Sequence, residues 1–156
     1  MILHLGVIDI PYANVPKEYA RHRRHAAHPA GTEMTGDVAN YLENKYHVME
    51  TFYEAHKGEI GRTLLDSLKG TLEGILQGAP VGNDPYAAGC AQIDDRFKQF
   101  LSNQEVETYG IRGVPTQAAL GGINHRKKAG FNKNRARRPS FIDTGLYQSA
   151  FKSWVT

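Results

Sequence analysis

Between Thr35 and Gly78 the apolar residues of this chain recur every three or four positions, and that spacing confines the segment to helix. Val38, Leu42, Tyr46, Met49 and Tyr53 form one stripe, widened by Tyr41 and Phe52, while Glu43, Lys45, Glu50 and Glu54 lie largely off it. Thr35 is the expected cap. After Gly58 a second run sets Ile60, Leu64, Leu68, Leu72 and Leu76 in register, with Leu65 and Ile75 beside them, and Gly78 and Pro80 close it. The two runs read as one long, bent helix. Gly70, Gly74 and Gly78 stand four apart, and because each glycine costs a helix about 1 kcal/mol relative to Ala, another backbone is expected to pack closely there.

A helix of this length needs partners to cover its apolar side. Residues 2–10 are rich in Ile, Leu and Val and stop at Pro11, which predicts a strand that pairs with a neighbour. From Val15 to Thr35 the composition turns polar, with Pro16, Pro29, Gly31 and the cluster Arg21-His-Arg-Arg-His25, so a surface arm is expected. Asn83-Asp84-Pro85 is a helix-start signature, and Cys90, Ile93, Phe97, Phe100 and Leu101 give that helix an apolar face ending near Asn103. Residues 109–123 read either as a loop with a short helix or as two short strands. The 156 residues, 40% hydrophobic and 22% charged, suit one domain. The expected fold is a helix-dominated α+β domain over 1–156, with one long helix and a small antiparallel sheet.

Charge is distributed unevenly. The net charge is +3, but residues 125–138 hold seven of the nineteen Lys and Arg and no acid: Arg126, Lys127, Lys128, Lys133, Arg135, Arg137 and Arg138. The body without them has twelve basic and sixteen acidic residues and is near −4. Such clustering creates a local field suited to a polyanion or to an acidic protein surface, and Phe131 adds a stacking group. A solvated connector is the plainer reading of the same run.

Other chemistry is sparse. The lone Cys90 cannot form an internal disulfide, which fits a reducing compartment, and its place beside Ile93 and Phe97 predicts a buried structural thiol. His22, His25 and His28 recur every three residues, but Arg23 and Arg24 between them would repel a cation, so they read as an arm or an inter-subunit contact. Asp94 and Asp95, about 100° apart on a helix, read as a charged outer face near its N-terminus. The Gly-rich 110–122 stretch matches no nucleotide-binding fingerprint. No nucleophile and base pair is visible, so no enzyme, cofactor or metal is expected. The N-terminal apolar stretch is too short for a signal peptide, and no segment reaches membrane-spanning length.

The C-terminal tract is Arg138-Pro-Ser-Phe-Ile-Asp-Thr-Gly-Leu-Tyr-Gln-Ser-Ala-Phe151. Asp143 or Thr144 can cap a helix, Gly145 permits a sharp entry, and Tyr147, Ala150, Phe151 and Trp154 recur at helical spacing, so an amphipathic helix is expected over 144–155. The tract resembles the "Pro, a few apolar residues, Asp-Thr-Gly-Leu, two residues, Ser" segment of tail-completion and neck proteins of tailed bacteriophages. Gly113-Val-Pro-Thr-Gln-Ala-Ala-Leu120 and the basic run after it also look like this group, so the resemblance covers about a third of the chain.

The resemblance implies a homo-oligomeric ring in the virion neck between portal and tail, in a tail-completion, terminator, collar or head-closure role. It further implies assembly in the host cytoplasm and contacts with adjacent neck, portal-adaptor or tail-tube proteins and with lumenal DNA. Pro139, Asp143, Thr144, Gly145, Leu146, Tyr147, Phe151 and Trp154 are the residues it marks for interaction. It also implies a long helix on an antiparallel sheet, with strands after the Thr-Gly-Leu segment; here the residues after Leu146 are expected to form helix alone. The reading from another class is a small nucleic-acid-binding protein using 125–138 as a basic arm.

Overall fold

The computed structural model describes residues 1–12, 34–80, 82, 84–121, 137–142 and 145–156. Strand β1 (Leu3–Val7) pairs antiparallel with strand β2 (Phe151–Val155), Leu3 opposite Val155 and Val7 opposite Phe151. Ile2 and Thr156 extend this ladder by exchanging backbone hydrogen bonds of 2.7 and 2.9 Å. Along β2 the burial alternates: Phe151 and Ser153 are buried against the helices, and Lys152 and Trp154 are exposed. The fold is α+β, dominated by helix, with a small antiparallel sheet and a long helix, as expected.

Helix α1 (Thr35–Tyr46) begins with a residue put to a different use from the one expected. Thr35 is fully buried inside the first turn, where its hydroxyl donates to Ile8 O at 2.6 Å and accepts from Ile10 N at 2.8 Å. It therefore ties the exit of β1 to the helix, and Asp37 Oδ2 accepts from Met34 N at 3.3 Å in the capping role.

The two apolar runs do join in one long helix, but the first of them is broken at His47. His47 adopts a left-handed conformation (φ 51°, ψ 47°) and separates α1 from α2 (Val48–Leu76), which runs straight through Gly58. Glu43 makes the break stable: its carboxylate accepts from Met49 N at 2.8 Å and Glu50 N at 3.0 Å, satisfying donors that α2 leaves open at its start. The 29 residues of α2 span about 43 Å.

Helix α3 (Ala87–Ser102) packs along α2. Their close approach is at Gly89, where a Cβ would sit 3.1 Å from both Thr63 O and Ser67 Cβ. The backbone N–H of Gly89 donates to Ser67 Oγ at 3.1 Å, and Ser67 and Thr71 both donate to Pro85 O. The expected contact at Gly70, Gly74 and Gly78 does not form among the described residues: none lies within 4 Å of a Cβ at Gly70 or Gly78, and Gly74 meets the Ala79 Cβ at 3.7 Å. Asp84 Oδ1 accepts from Tyr86 N at 2.8 Å in the turn that leads into α3; Asn83 lies outside the described residues.

A 3₁₀ helix (Glu105–Tyr109) follows, then α4 (Gln117–Leu120), capped by the Thr116 hydroxyl, which accepts from Ala119 N at 3.2 Å. Of the two readings of this region, the loop with a short helix is the one observed through Gly121. Four fully buried phenylalanines from three elements, Phe52, Phe97, Phe100 and Phe151, lie within the core. Phe97 of α3 stacks on Phe151 of β2 with centroids 3.8 Å apart, and Phe52 of α2 meets Phe97 edge-on at 5.1 Å.

The C-terminal amphipathic helix over 144–155 does not form. Helix α5 covers only Leu146–Ala150, and the chain turns extended at Phe151 (φ −60°, ψ 136°) to become β2. The apolar spacing of Tyr147, Ala150 and Phe151 suits a helix, but Phe151, Ser153 and Val155 also alternate at period two. β1 decides between the two, because its backbone donors and acceptors need a ladder that only an extended partner supplies.

Candidate interaction surfaces

The basic run is pinned at its end. Arg138 binds α4 from two atoms: its backbone N–H donates to Ala119 O at 3.3 Å and its Nε to Ala118 O at 3.2 Å, while a terminal guanidinium nitrogen reaches Ile142 O at 3.4 Å. Arg137 forms an ion pair with Glu107 of the 3₁₀ helix. The other Glu107 oxygen accepts from the fully buried Ser140 hydroxyl at 2.7 Å, and Ser140 Oγ accepts from Thr116 N at 3.2 Å. Gly121 and Arg137, which flank residues 122–136 in sequence, are thus both fastened to α4 and the 3₁₀ helix. Two of the seven cations serve this anchor. Arg126, Lys127, Lys128, Lys133 and Arg135 lie outside the described residues.

The family-like tract divides between interior and surface. Pro139 is half-buried; Asp143 and Thr144, the expected caps, lie outside the described residues. Gly145 enters α5 with φ 78°, a left-handed backbone that a side chain would strain, and Leu146 follows half-buried. Tyr147 and Phe151 are buried in the core at 3% and 0% exposure. Gln148 fastens α5 to the end of α3, its amide donating to Lys98 O at 2.6 Å and Ser102 Oγ at 2.7 Å. Trp154 does not share their side. It lies on the outer face of the sheet, 45% exposed, over Gly6 and stacked on His4 with centroids 5.2 Å apart.

Asp94 is not on an outer face. It is buried at 4% exposure, where Oδ1 accepts from Ser153 N at 2.7 Å and Oδ2 from Lys152 Nζ at 2.9 Å. The Ser153 hydroxyl lies 2.8 Å from the same Oδ1 and 3.0 Å from Cys90 O. The Asp94 carboxylate holds the Lys152 ammonium above its ordinary range. A signal for this was present: Asp94 stands four after Cys90 and three before Phe97, on their side of the helix. Asp95 does face outward, as expected, and pairs with Lys98 at 2.8 Å, which lowers its carboxyl. Cys90 is buried as expected, and burial pushes its thiol up, away from the reactive thiolate.

Two further clusters escape the sequence reading, because their members come from separate elements or turns. His56 has a side chain 10% exposed; its Nδ1 lies 3.4 Å from Glu59 and its Nε2 3.6 Å from Glu105. Arg96 grips Glu105 with two hydrogen bonds of 3.0 and 2.7 Å and holds that carboxyl below its ordinary range. A cleft of about 250 Å³ between α2 and α3 adjoins this group, lined by Glu59, Thr63, Gln92 and Arg96 among others. The carboxylates are committed to Arg96, so the arrangement is an ion-pair junction joining α2, α3 and the 3₁₀ helix.

The ligand atoms of Glu43, His47 and Glu50 lie within 4.8 Å of one another and have the chemistry to hold a cation. The Glu43 oxygens, however, already cap α2, and His47 Nδ1 lies 2.9 Å from Glu50. His22, His25 and His28 lie outside the described residues. No helix among the described residues is long and apolar enough to cross a membrane. Comparison with protein families, with curated protein sequences and with solved structures gave no match.

Proposed function

We propose that this chain is a structural, non-catalytic subunit of a homo-oligomeric ring in the neck of a tailed bacteriophage, a head-tail connector between portal and tail. The observation that carries the reading is the order of elements after the Thr-Gly-Leu segment. A short helix is followed at once by β2, and the resemblance implies a strand in that place. The long helix α2 with α3 behind an antiparallel sheet agrees with the same pattern. Among the described residues β1 and β2 each have a single strand neighbour; Asp94 takes the Ser153 N–H on the outer edge of β2, whereas the outer edge of β1 presents backbone groups that a neighbouring subunit's strand can continue.

The basic segment supports a second reading, binding of nucleic acid, in the ring lumen or by the isolated chain. The fastening at Arg137 and Arg138 gives Arg126, Lys127, Lys128, Lys133 and Arg135 a fixed base. Native mass spectrometry and electron microscopy of the purified chain test the two. A closed ring supports the first. A monomer that retards duplex DNA, with a log–log salt slope of about −4.5 for five neutralised phosphates, supports the second instead. A monomer without affinity for DNA refutes both.

A further inference from the structure

The last three turns of α2 carry apolar side chains that the described residues leave uncovered. Leu65, Leu72 and Leu76 are 50, 53 and 87% exposed, while α3 covers the opposite side of the helix at Thr63 and Ser67. At about 100° per residue the three leucines share one stripe, with Leu68 at its margin, and Gly58 and Gly61 continue that stripe toward the start of the helix. No described atom lies within 4 Å of a Cβ built on either glycine. Along one margin the exposed charges alternate in sign: Arg62, Asp66, Lys69 and Glu73.

These features complement themselves. When two copies of α2 lie antiparallel about a point between Ser67 and Leu68, Arg62 of each faces the other's Glu73 and Asp66 faces the other's Lys69. Each pair occurs twice by symmetry. A parallel two-fold would put the two charged margins on opposite sides of the seam, where these charges do not meet. At about 1.5 Å rise per residue, the same antiparallel register seats Leu65 between the second copy's Leu68 and Leu72. It also lays Leu76 over the space that Gly58 and Gly61 leave open. Sign pattern and relief thus select one register and one occupant.

We propose that this stripe of α2 is a two-fold self-association seam whose occupant is α2 of a second copy. The surface and its occupant are read from α2 alone, so the inference stands apart from the ring reading. Sedimentation of the full chain tests it, with circular dichroism to verify that each variant keeps its helix. Leu65→Glu with Leu72→Glu, both at exposed sites, should raise the dimer dissociation constant roughly 100-fold or more. Lys69→Asp alone should weaken the dimer, and Asp66→Lys added to it should restore it, because the double reversal recreates the same pairs. Leu68→Cys, next to the two-fold axis, should cross-link to itself under mild oxidation.

A wild-type chain that stays monomeric overturns the seam, as does a double reversal no better than the single change. A ring that persists unchanged with both leucines replaced overturns the seam and leaves the ring reading standing. Capture of a different protein by the stripe, with no self-association, also overturns it.

Discussion

Tyr147 is buried, and its hydroxyl makes no hydrogen bond among the described residues. Burial drives its ionisation far up, so the group is a neutral phenol at any ordinary pH, desolvated without a partner. Such a hydroxyl contributes nothing to offset its lost hydration. Tyr147→Phe should therefore leave stability unchanged or raise it by up to about 1 kcal/mol, read from the midpoint of a urea transition. A loss of more than about 1 kcal/mol would mean that the hydroxyl is satisfied in solution. Trp154, by contrast, covers Gly6 from the solvent side, and its fluorescence should report a partly wet ring.

Strand β2 is held from behind by a residue of α3. Asp94 takes the Ser153 N–H and the Lys152 ammonium, so its removal strands a buried backbone donor in the middle of the two-stranded ladder. Asp94→Ala should cost about 3 kcal/mol in chemical denaturation, and Asp94→Asn less, since the amide oxygen can still accept from Ser153 N. The elements were unequally legible in sequence. The bodies of α1, α2 and α3 followed from apolar periodicity, because each buries one continuous side. The break at His47 did not, since it rests on one left-handed residue and on Glu43 reaching across to cap the next helix. Period 3.6 through Tyr147, Ala150 and Phe151 and period two through Phe151, Ser153 and Val155 meet at Phe151, so the switch to strand depended on β1, far away in sequence. The anchor of Arg137 and Arg138 was hidden for the same reason: Glu107, Thr116 and Ser140 meet only in three dimensions.

Across the whole molecule, the junction of Glu105, Arg96 and His56 joins three elements and makes stability depend on pH. Arg96 lowers the Glu105 carboxyl from its ordinary 4.5, with smaller help from Asn103 and His56. A depressed carboxyl contributes stability that is present above its unfolded value and is lost as pH falls through its lower folded value. The melting temperature of wild type should thus exceed that of Glu105→Gln at pH 7, and the gap should narrow as pH falls below the ordinary 4.5. A gap that is constant across this range would assign the junction a role in packing alone. The pairing of β1 with β2 has a consequence in time. His4 and Thr156 are 152 residues apart, so at about 5–20 residues per second a ribosome needs roughly 8–30 s after making β1 to deliver its partner. Throughout that interval the nascent chain carries Leu3, Leu5 and Val7 on a strand without its ladder. A chaperone that binds short extended apolar segments would meet this protein there first, before any helix-to-helix docking is complete.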